Sequence, residues 1–114
     1  MDLTLEDFLN TMERELVGDL NFYKPIYCND GFAMSVQASS KHFCHPREDG
    51  LQAYTHYEVG FPSEPPHYFL HLAEDKLYTK TVYCYVPVEL IIAEINYHGG
   101  TMDQGSENFF EEEL

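Results

Sequence analysis

The sequence has little positive charge. Six lysines and arginines stand against 20 aspartates and glutamates, which gives a formal net charge of −14. A protein with this balance lacks the basic surface that binding to nucleic-acid phosphates or to anionic membranes requires, and it attracts basic partners instead. The chain also has no tryptophan and no run of the roughly 18 apolar residues that a membrane-spanning helix needs. The composition therefore favours a basic protein partner and excludes direct contact with nucleic acid or membrane.

Cysteine is also scarce and irregularly spaced. Cys28, Cys44 and Cys84 are an odd number and form no CxxC pair, so we expect free thiols in a reducing compartment. Cys84 lies in the apolar run VYCYV and is expected to be buried. The first ten residues, MDLTLEDFLN, are acidic and lack the order of a signal peptide. These features predict a protein that stays in the cytoplasm of the cell that makes it.

The chain has enough apolar material for a core of its own. Its length is 114 residues, of which 44% are hydrophobic, with nine tyrosines and eight phenylalanines. A chain of this size buries enough surface to fold without a metal or a disulfide. We expect one α+β domain over residues 1–105 and an acidic C-terminal tail over residues 106–114.

The apolar pattern predicts three helices. The first runs over Thr4–Val17, with an apolar stripe, Thr4 as N-cap and Gly18 as the stop. The second runs over Ser63–Glu74, with prolines in its first turn. The third runs over Pro87–His98 and ends at Gly99-Gly100, and its core stripe consists of Val88, Ile91, Ile92 and Ile95.

Four strands are predicted between and beside these helices. The strands over 22–28 and 32–39 flank Asn29-Asp30-Gly31, which is typical of a hairpin turn. A third strand covers Tyr54–Phe61, with Tyr57, Val59 and Phe61 on its apolar face, and a central strand covers Thr81–Val86. The order predicts a two-layer α+β fold with a mainly antiparallel sheet of about four strands and three helices on one face.

The loop between the second and third strands contains the segment KHFCHPRED, Lys41–Asp49. His42, Cys44 and His45 could contribute to a metal site, although no second ligand pair has the usual spacing. Cys44 could be a nucleophile activated by the neighbouring histidines and Arg47. The third interpretation is a polar surface turn in which Phe43 packs under the loop and Arg47 pairs with a nearby carboxylate. No cofactor is expected on the third interpretation.

Three longer segments carry a resemblance. They are SVQASSKHFCHPRED, YTHYEVGFPSE and TVYCYVPVELIIAEINYHGG, and they fall within residues 34–100. Together they resemble a group of small acidic phage and prophage proteins that have no settled biochemical activity. His45 departs from that pattern, in which a small residue follows the cysteine. The resemblance implies a phage origin and a role as a host-defence inhibitor of the anti-CRISPR or anti-restriction type.

The acidic residues are concentrated at the two ends of the chain. On the first predicted helix and in the tail, seven of them form the expected partner-binding set: Glu6, Asp7, Glu13, Glu15, Glu111, Glu112 and Glu113. Our leading hypothesis is a non-enzymatic inhibitor that binds a basic host protein or ribonucleoprotein, such as a CRISPR effector or a nuclease, partly by mimicking nucleic acid. The alternative hypothesis is a small enzyme or metal-binding protein centred on His42, Cys44 and His45.

Overall fold

A computed structural model describes residues 3–12, 14–17 and 20–102. Within them the chain forms an α+β fold with a four-stranded antiparallel sheet and a separate two-stranded hairpin. The predicted α+β class is therefore confirmed, but these residues contain two α-helices rather than three. The elements in chain order are α1 (Leu5–Thr11), β1 (Arg14–Val17), β2 (Leu20–Tyr23), β3 (Ile26–Tyr27), β4 (Ala33–Gln37), β5 (His56–Gly60), a 3-10 turn (Leu70–Leu72), β6 (Val82–Pro87) and α2 (Val88–Tyr97).

Helix α1 begins as the sequence predicts and ends earlier. The Thr4 hydroxyl accepts a hydrogen bond from the Asp7 backbone N–H, and the Asp7 carboxylate accepts one from the Thr4 N–H, which makes a capping box. The prediction that the helix reaches Val17 is wrong, because Arg14–Val17 pairs with Leu20–Tyr23 as an antiparallel hairpin. Pairing with a second strand outweighs the small gain from extending a short helix by one more turn.

The hairpin predicted around Asn29-Asp30-Gly31 is present. The Cys28 N–H donates to the Phe32 carbonyl oxygen at 2.7 Å, and Gly31 has the positive φ of 98° that this turn needs. Side chains then alternate along β4 as predicted. Four apolar residues face the core, and they are Phe32, Met34, Val36 and Ala38.

Strands β3 to β6 lie in the sheet in the order of the chain, so β6 is an edge strand. The prediction that Thr81–Val86 is central is therefore wrong. Loops cover its outer edge: Ala73 bridges to Tyr83, and the Tyr85 N–H donates to the Phe43 carbonyl oxygen at 3.0 Å. Cys84 on this strand is partly exposed rather than buried.

The helix predicted over Ser63–Glu74 does not form, and a 3-10 turn at Leu70–Leu72 is the regular structure in that segment. Pro65 and Pro66 supply no N–H groups, and each proline disfavours helical geometry in the residue before it.

The Phe61 side chain, which directly follows β5, does not lie on the core face of that strand. It has a positive φ of 50° and is 62% exposed, so its predicted place on the apolar face is wrong.

Helix α2 closes the core. It follows β6 directly, and its Val88, Ile91 and Ile95 are buried in one cluster with the inward side chains of the sheet. Ile92 is only partly buried, and positive φ values at Gly99 and Gly100 end the helix as predicted. No helix in the described part of the chain has the length and apolarity needed to cross a membrane.

We expect Ile91→Ala to lower the free energy of unfolding by about 2–5 kcal/mol, because it leaves a cavity at a position with no solvent exposure. Chemical denaturation followed by circular dichroism measures this change. Ile92→Ala, at a partly buried position of the same helix, is the matched control and should cost less. Equal losses in the two variants would contradict the placement of the α2 core face.

Candidate functional site

The loop Lys41–Asp49 is held by hydrogen bonds of its backbone, both within the loop and to β5 and β6. The Cys44 side chain has no solvent exposure, and its sulfur contacts the carbonyl oxygens of Ser39 at 3.1 Å and Pro46 at 3.4 Å. Burial raises the pKa of the Cys44 thiol above its ordinary value, against a smaller opposing effect of the Ser39 hydrogen bond and of Arg47. A thiol with a raised pKa is a poor nucleophile at neutral pH.

The two histidines of this loop point to different partners. The His42 Nδ1 atom lies 2.7 Å from the Ser39 hydroxyl oxygen, whereas the exposed His45 packs its ring edge-on against that of His56, with centroids 6.0 Å apart. Among the described residues, no group of three or more histidine, cysteine or acidic side chains could hold a metal ion. The described geometry thus gives no support to a metal or nucleophile site formed by His42, Cys44 and His45.

The interpretation of Lys41–Asp49 as a polar surface turn agrees with the structure, except in the predicted contacts of Phe43 and Arg47. Phe43 is 40% exposed rather than packed under the loop. Arg47 does not pair with a carboxylate among the described residues. Its guanidinium lies 5.3 Å from the centre of the Phe43 ring, and it donates to the Ser40 carbonyl oxygen at 3.4 Å.

The predicted acidic residues are only partly within the described structure. Glu6 and Asp7 are exposed in the first turn of α1, and the Asp7 carboxylate is used by the capping box. Glu15 lies on β1 rather than on a helix, and only its backbone is described. Glu13 and Glu111–Glu113 lie outside the described residues.

A different polar cluster, which the sequence analysis missed, surrounds His98 at the end of α2. His98 is 2% exposed, and its ring stacks on that of Phe32 with centroids 3.9 Å apart. Its Nδ1 atom lies 2.7 Å from an Asp30 oxygen and 3.8 Å from a Glu64 oxygen, and its Nε2 atom lies 3.0 Å from a Glu94 oxygen. Three segments of the chain therefore meet at one imidazole.

Both ring nitrogens of His98 face carboxylate oxygens at hydrogen-bond distance. A neutral imidazole has one N–H and can satisfy only one of them, whereas an imidazolium donates to both. The arrangement therefore links His98 to a carboxylate through each of its two ring nitrogens.

Glu94 is the most deeply buried member of the cluster, with no solvent exposure. Its two carboxylate oxygens accept hydrogen bonds from the backbone N–H groups of His67 at 2.9 Å and Tyr68 at 2.7 Å, in addition to the bond from His98. These contacts compensate for the loss of water around a buried charge. They also hold the proline-rich segment 63–69 against α2.

The cluster also affects the groups beside it. Hydrogen bonds from the Phe32 backbone N–H and, next, from His98 hold the pKa of Asp30 below its ordinary value. Burial raises the pKa of the nearby Cys28 thiol to about 12, and the negative charges of Asp30 and Glu94 add to the effect. Cys28 is therefore unreactive, and the exposed carboxylates of the cluster are the groups available to a partner.

Aromatic rings border the cluster on the surface. Tyr97 is 56% exposed and stacks on His67, with ring centroids 4.4 Å apart and planes 5° from parallel. Tyr68 meets Tyr97 edge-on at 6.0 Å, and the Tyr97 ring lies 5.1 Å from that of His98. We call this surface the acidic–aromatic face, and its members are Asp30, Glu64, His67, Tyr68 and Tyr97.

One feature of the sequence could have indicated the cluster around His98. Glu94 and His98 follow Ile91 and Ile95 at helical spacing on the apolar stripe of α2, where an ionisable residue is out of place. No spacing rule pointed to Asp30, Glu64 or the backbone of the 63–69 segment. No known protein family, curated protein or solved structure matches this chain, so its function is inferred from its own residues.

We expect the Cys44 thiol of the folded protein to react slowly with a thiol reagent at neutral pH and faster as the pH rises, since its raised pKa keeps it protonated. The measurement is the rate of labelling between pH 6 and pH 10, with the sites identified by mass spectrometry. Urea-unfolded protein is the control, in which all three thiols should react faster. A fast reaction of native Cys44 at neutral pH would restore the nucleophile hypothesis.

We expect Glu94→Ala to lower the free energy of unfolding by about 3–5 kcal/mol, because it leaves two backbone N–H groups and a buried imidazole without their acceptor. Denaturant unfolding at neutral pH measures this loss. Glu89→Ala removes an exposed carboxylate from the same helix and is the matched control, with a change below about 0.5 kcal/mol. A comparable small effect in both variants would mean that Glu94 does not hold the 63–69 segment.

Proposed function

We propose that this protein is a phage-encoded inhibitor that binds a basic, nucleic-acid-handling host defence complex of the CRISPR or restriction type. It occupies the surface that the complex uses for DNA or RNA, partly by presenting carboxylates in place of phosphates. The observation that carries the proposal is the net charge of −14 in a chain of 114 residues. Such a surplus repels nucleic acid and draws the protein toward basic surfaces.

The position of the carboxylates supports the proposal. Glu6 is exposed in the first turn of α1, and its carboxylate forms no ion pair with another described residue. Asp30 and Glu64 remain half exposed although they lie beside His98. Exposed and unneutralised carboxylates keep their charge available to a cationic partner.

The electrostatic part of this binding acts over a limited range. At an ionic strength near 0.1 M, charges are screened beyond about 10 Å. Carboxylates outside the final contact therefore speed the encounter, and those inside it determine the lifetime of the complex. This division predicts that neutralising the terminal acidic residues acts mainly on the association rate.

The experiment uses purified CRISPR effector complexes and restriction nucleases, whose cleavage of DNA or RNA is measured with and without the protein. For a target that is inhibited, association rates are compared among three variants with equal charge changes. Two remove terminal carboxylates, namely Glu6→Gln/Glu13→Gln/Glu15→Gln and Glu111→Gln/Glu112→Gln/Glu113→Gln. The control removes carboxylates elsewhere on the surface, namely Glu48→Gln/Glu74→Gln/Glu89→Gln. Asp7 is left intact because α1 needs it as part of its cap.

We expect each terminal variant to associate about tenfold more slowly than the wild type at low salt and to show a weaker dependence on salt, with a smaller effect in the control. Equal association of all four proteins at low salt would contradict nucleic-acid mimicry by the chain ends. Absence of inhibition across the effectors and nucleases would contradict the proposed function itself.

A further inference from the structure

We propose that the acidic–aromatic face, formed by Asp30, Glu64, His67, Tyr68 and Tyr97, recognises an arginine side chain of a protein partner. This inference rests on the proposed function only in that the partner is basic. It assigns the specific contact to a surface near the end of α2 rather than to the terminal acidic residues of the sequence. The inference combines the aromatic rings, the carboxylates and the rigidity of this face.

The aromatic part of the face is exposed. Tyr97 and Tyr68 are 56% and 41% exposed, and Tyr97, His67 and Tyr68 contact one another through a stacked and two edge-on pairs. Contiguous exposed aromatic side chains are typical of protein interfaces, where tyrosine supplies a large contact area with little loss of side-chain freedom. Aromatic ring faces also attract cations.

The acidic part of the face has acceptor capacity to spare. Glu64 is 60% exposed, and its nearest oxygen lies 3.8 Å from His98 Nδ1, beyond hydrogen-bond distance. Both of its oxygens can therefore accept new hydrogen bonds. Asp30 is 50% exposed and uses its two oxygens for the Phe32 N–H and for His98, so it contributes charge and remaining lone pairs.

The carboxylates and the rings of this face are connected through His98. The His98 ring lies 5.1 Å from the Tyr97 ring, and its Nδ1 atom lies 3.8 Å from Glu64. Arginine matches this combination, because its planar guanidinium stacks on aromatic rings and forms two parallel hydrogen bonds with a carboxylate. Lysine offers a compact charge and no plane to stack.

The face is also held in shape before any partner arrives. Glu94 binds the backbone N–H groups of His67 and Tyr68, and His98 joins α2 to Asp30. Groups that are already fixed lose little conformational entropy on binding, which strengthens a small contact. Glu94 and His98 are thus positioning residues, and the five members of the face make the contact.

The test uses a hexa-arginine peptide and a hexa-lysine peptide as probes, titrated into the full-length protein and followed by ¹H–¹⁵N NMR. The binding variants are Tyr97→Leu and Glu64→Gln, both at exposed positions. The matched controls are Tyr27→Leu and Glu89→Gln. Tyr27 is 56% exposed, the same as Tyr97, and it points away from the core that α2 packs into, because its neighbour Ile26 is buried there. Dispersed spectra check that each variant is folded.

We expect hexa-arginine to shift the amide signals of residues 30, 64, 67, 68 and 94–98 and to bind more tightly than hexa-lysine. Tyr97→Leu and Glu64→Gln should each weaken hexa-arginine binding by about threefold or more, and the controls by less than twofold. Equal affinity for both peptides together with equal losses in all variants would overturn the inference, as would shifts confined to α1 or the tail. Such results would indicate only general attraction between opposite charges.

The outcome is separable from that of the proposed function. If no defence complex is inhibited and hexa-arginine still binds at the acidic–aromatic face, the recognition of arginine is supported and the inhibitor role is contradicted. If a complex is inhibited equally well by the wild type and by Tyr97→Leu/Glu64→Gln, the inhibitor role stands and this contact is wrong.

Discussion

The buried carboxylate of Glu94 is the interaction on which the surface near the end of α2 depends. It has no solvent exposure, and it binds two backbone N–H groups of the segment before the 3-10 turn as well as the imidazole of His98. A charge in this position is tolerable only because each bond is made. These bonds also hold the proline-rich segment 63–69 in place, which has little regular secondary structure of its own.

The same interaction connects three separate segments of the chain. His98 bridges Glu94 to Asp30, so the β3–β4 turn, α2 and the 63–69 segment are joined through one ring. The ring is further held by stacking on Phe32. The outer carboxylates and the tyrosines beside them then form a fixed surface that suits a cationic side chain.

In the loop Lys41–Asp49, the described residues do not form a reactive or metal-binding arrangement. The Cys44 sulfur contacts two backbone carbonyl oxygens. His42 contacts Ser39, whereas His45 contacts His56. Residue types that suit catalysis or metal binding are common in tight polar loops, and only their relative placement separates the two roles. The chemistry of this protein is better sought in charge and aromatic contact than in a reactive thiol.

Local patterns in the sequence determined the α+β class, the cap at Thr4, the turn at Gly31 and the core face of α2, because each depends on neighbours within a few residues. Tertiary contacts decided the rest. Arg14–Val17 became a strand because β2 paired with it, and the 63–69 segment stayed irregular while its N–H groups bonded to Glu94 rather than within a helix. The bond between His98 and Asp30, beside the acidic–aromatic face, joins residues 68 positions apart along the chain. No periodicity encodes such a meeting, because burial and hydrogen bonding across the whole fold select it.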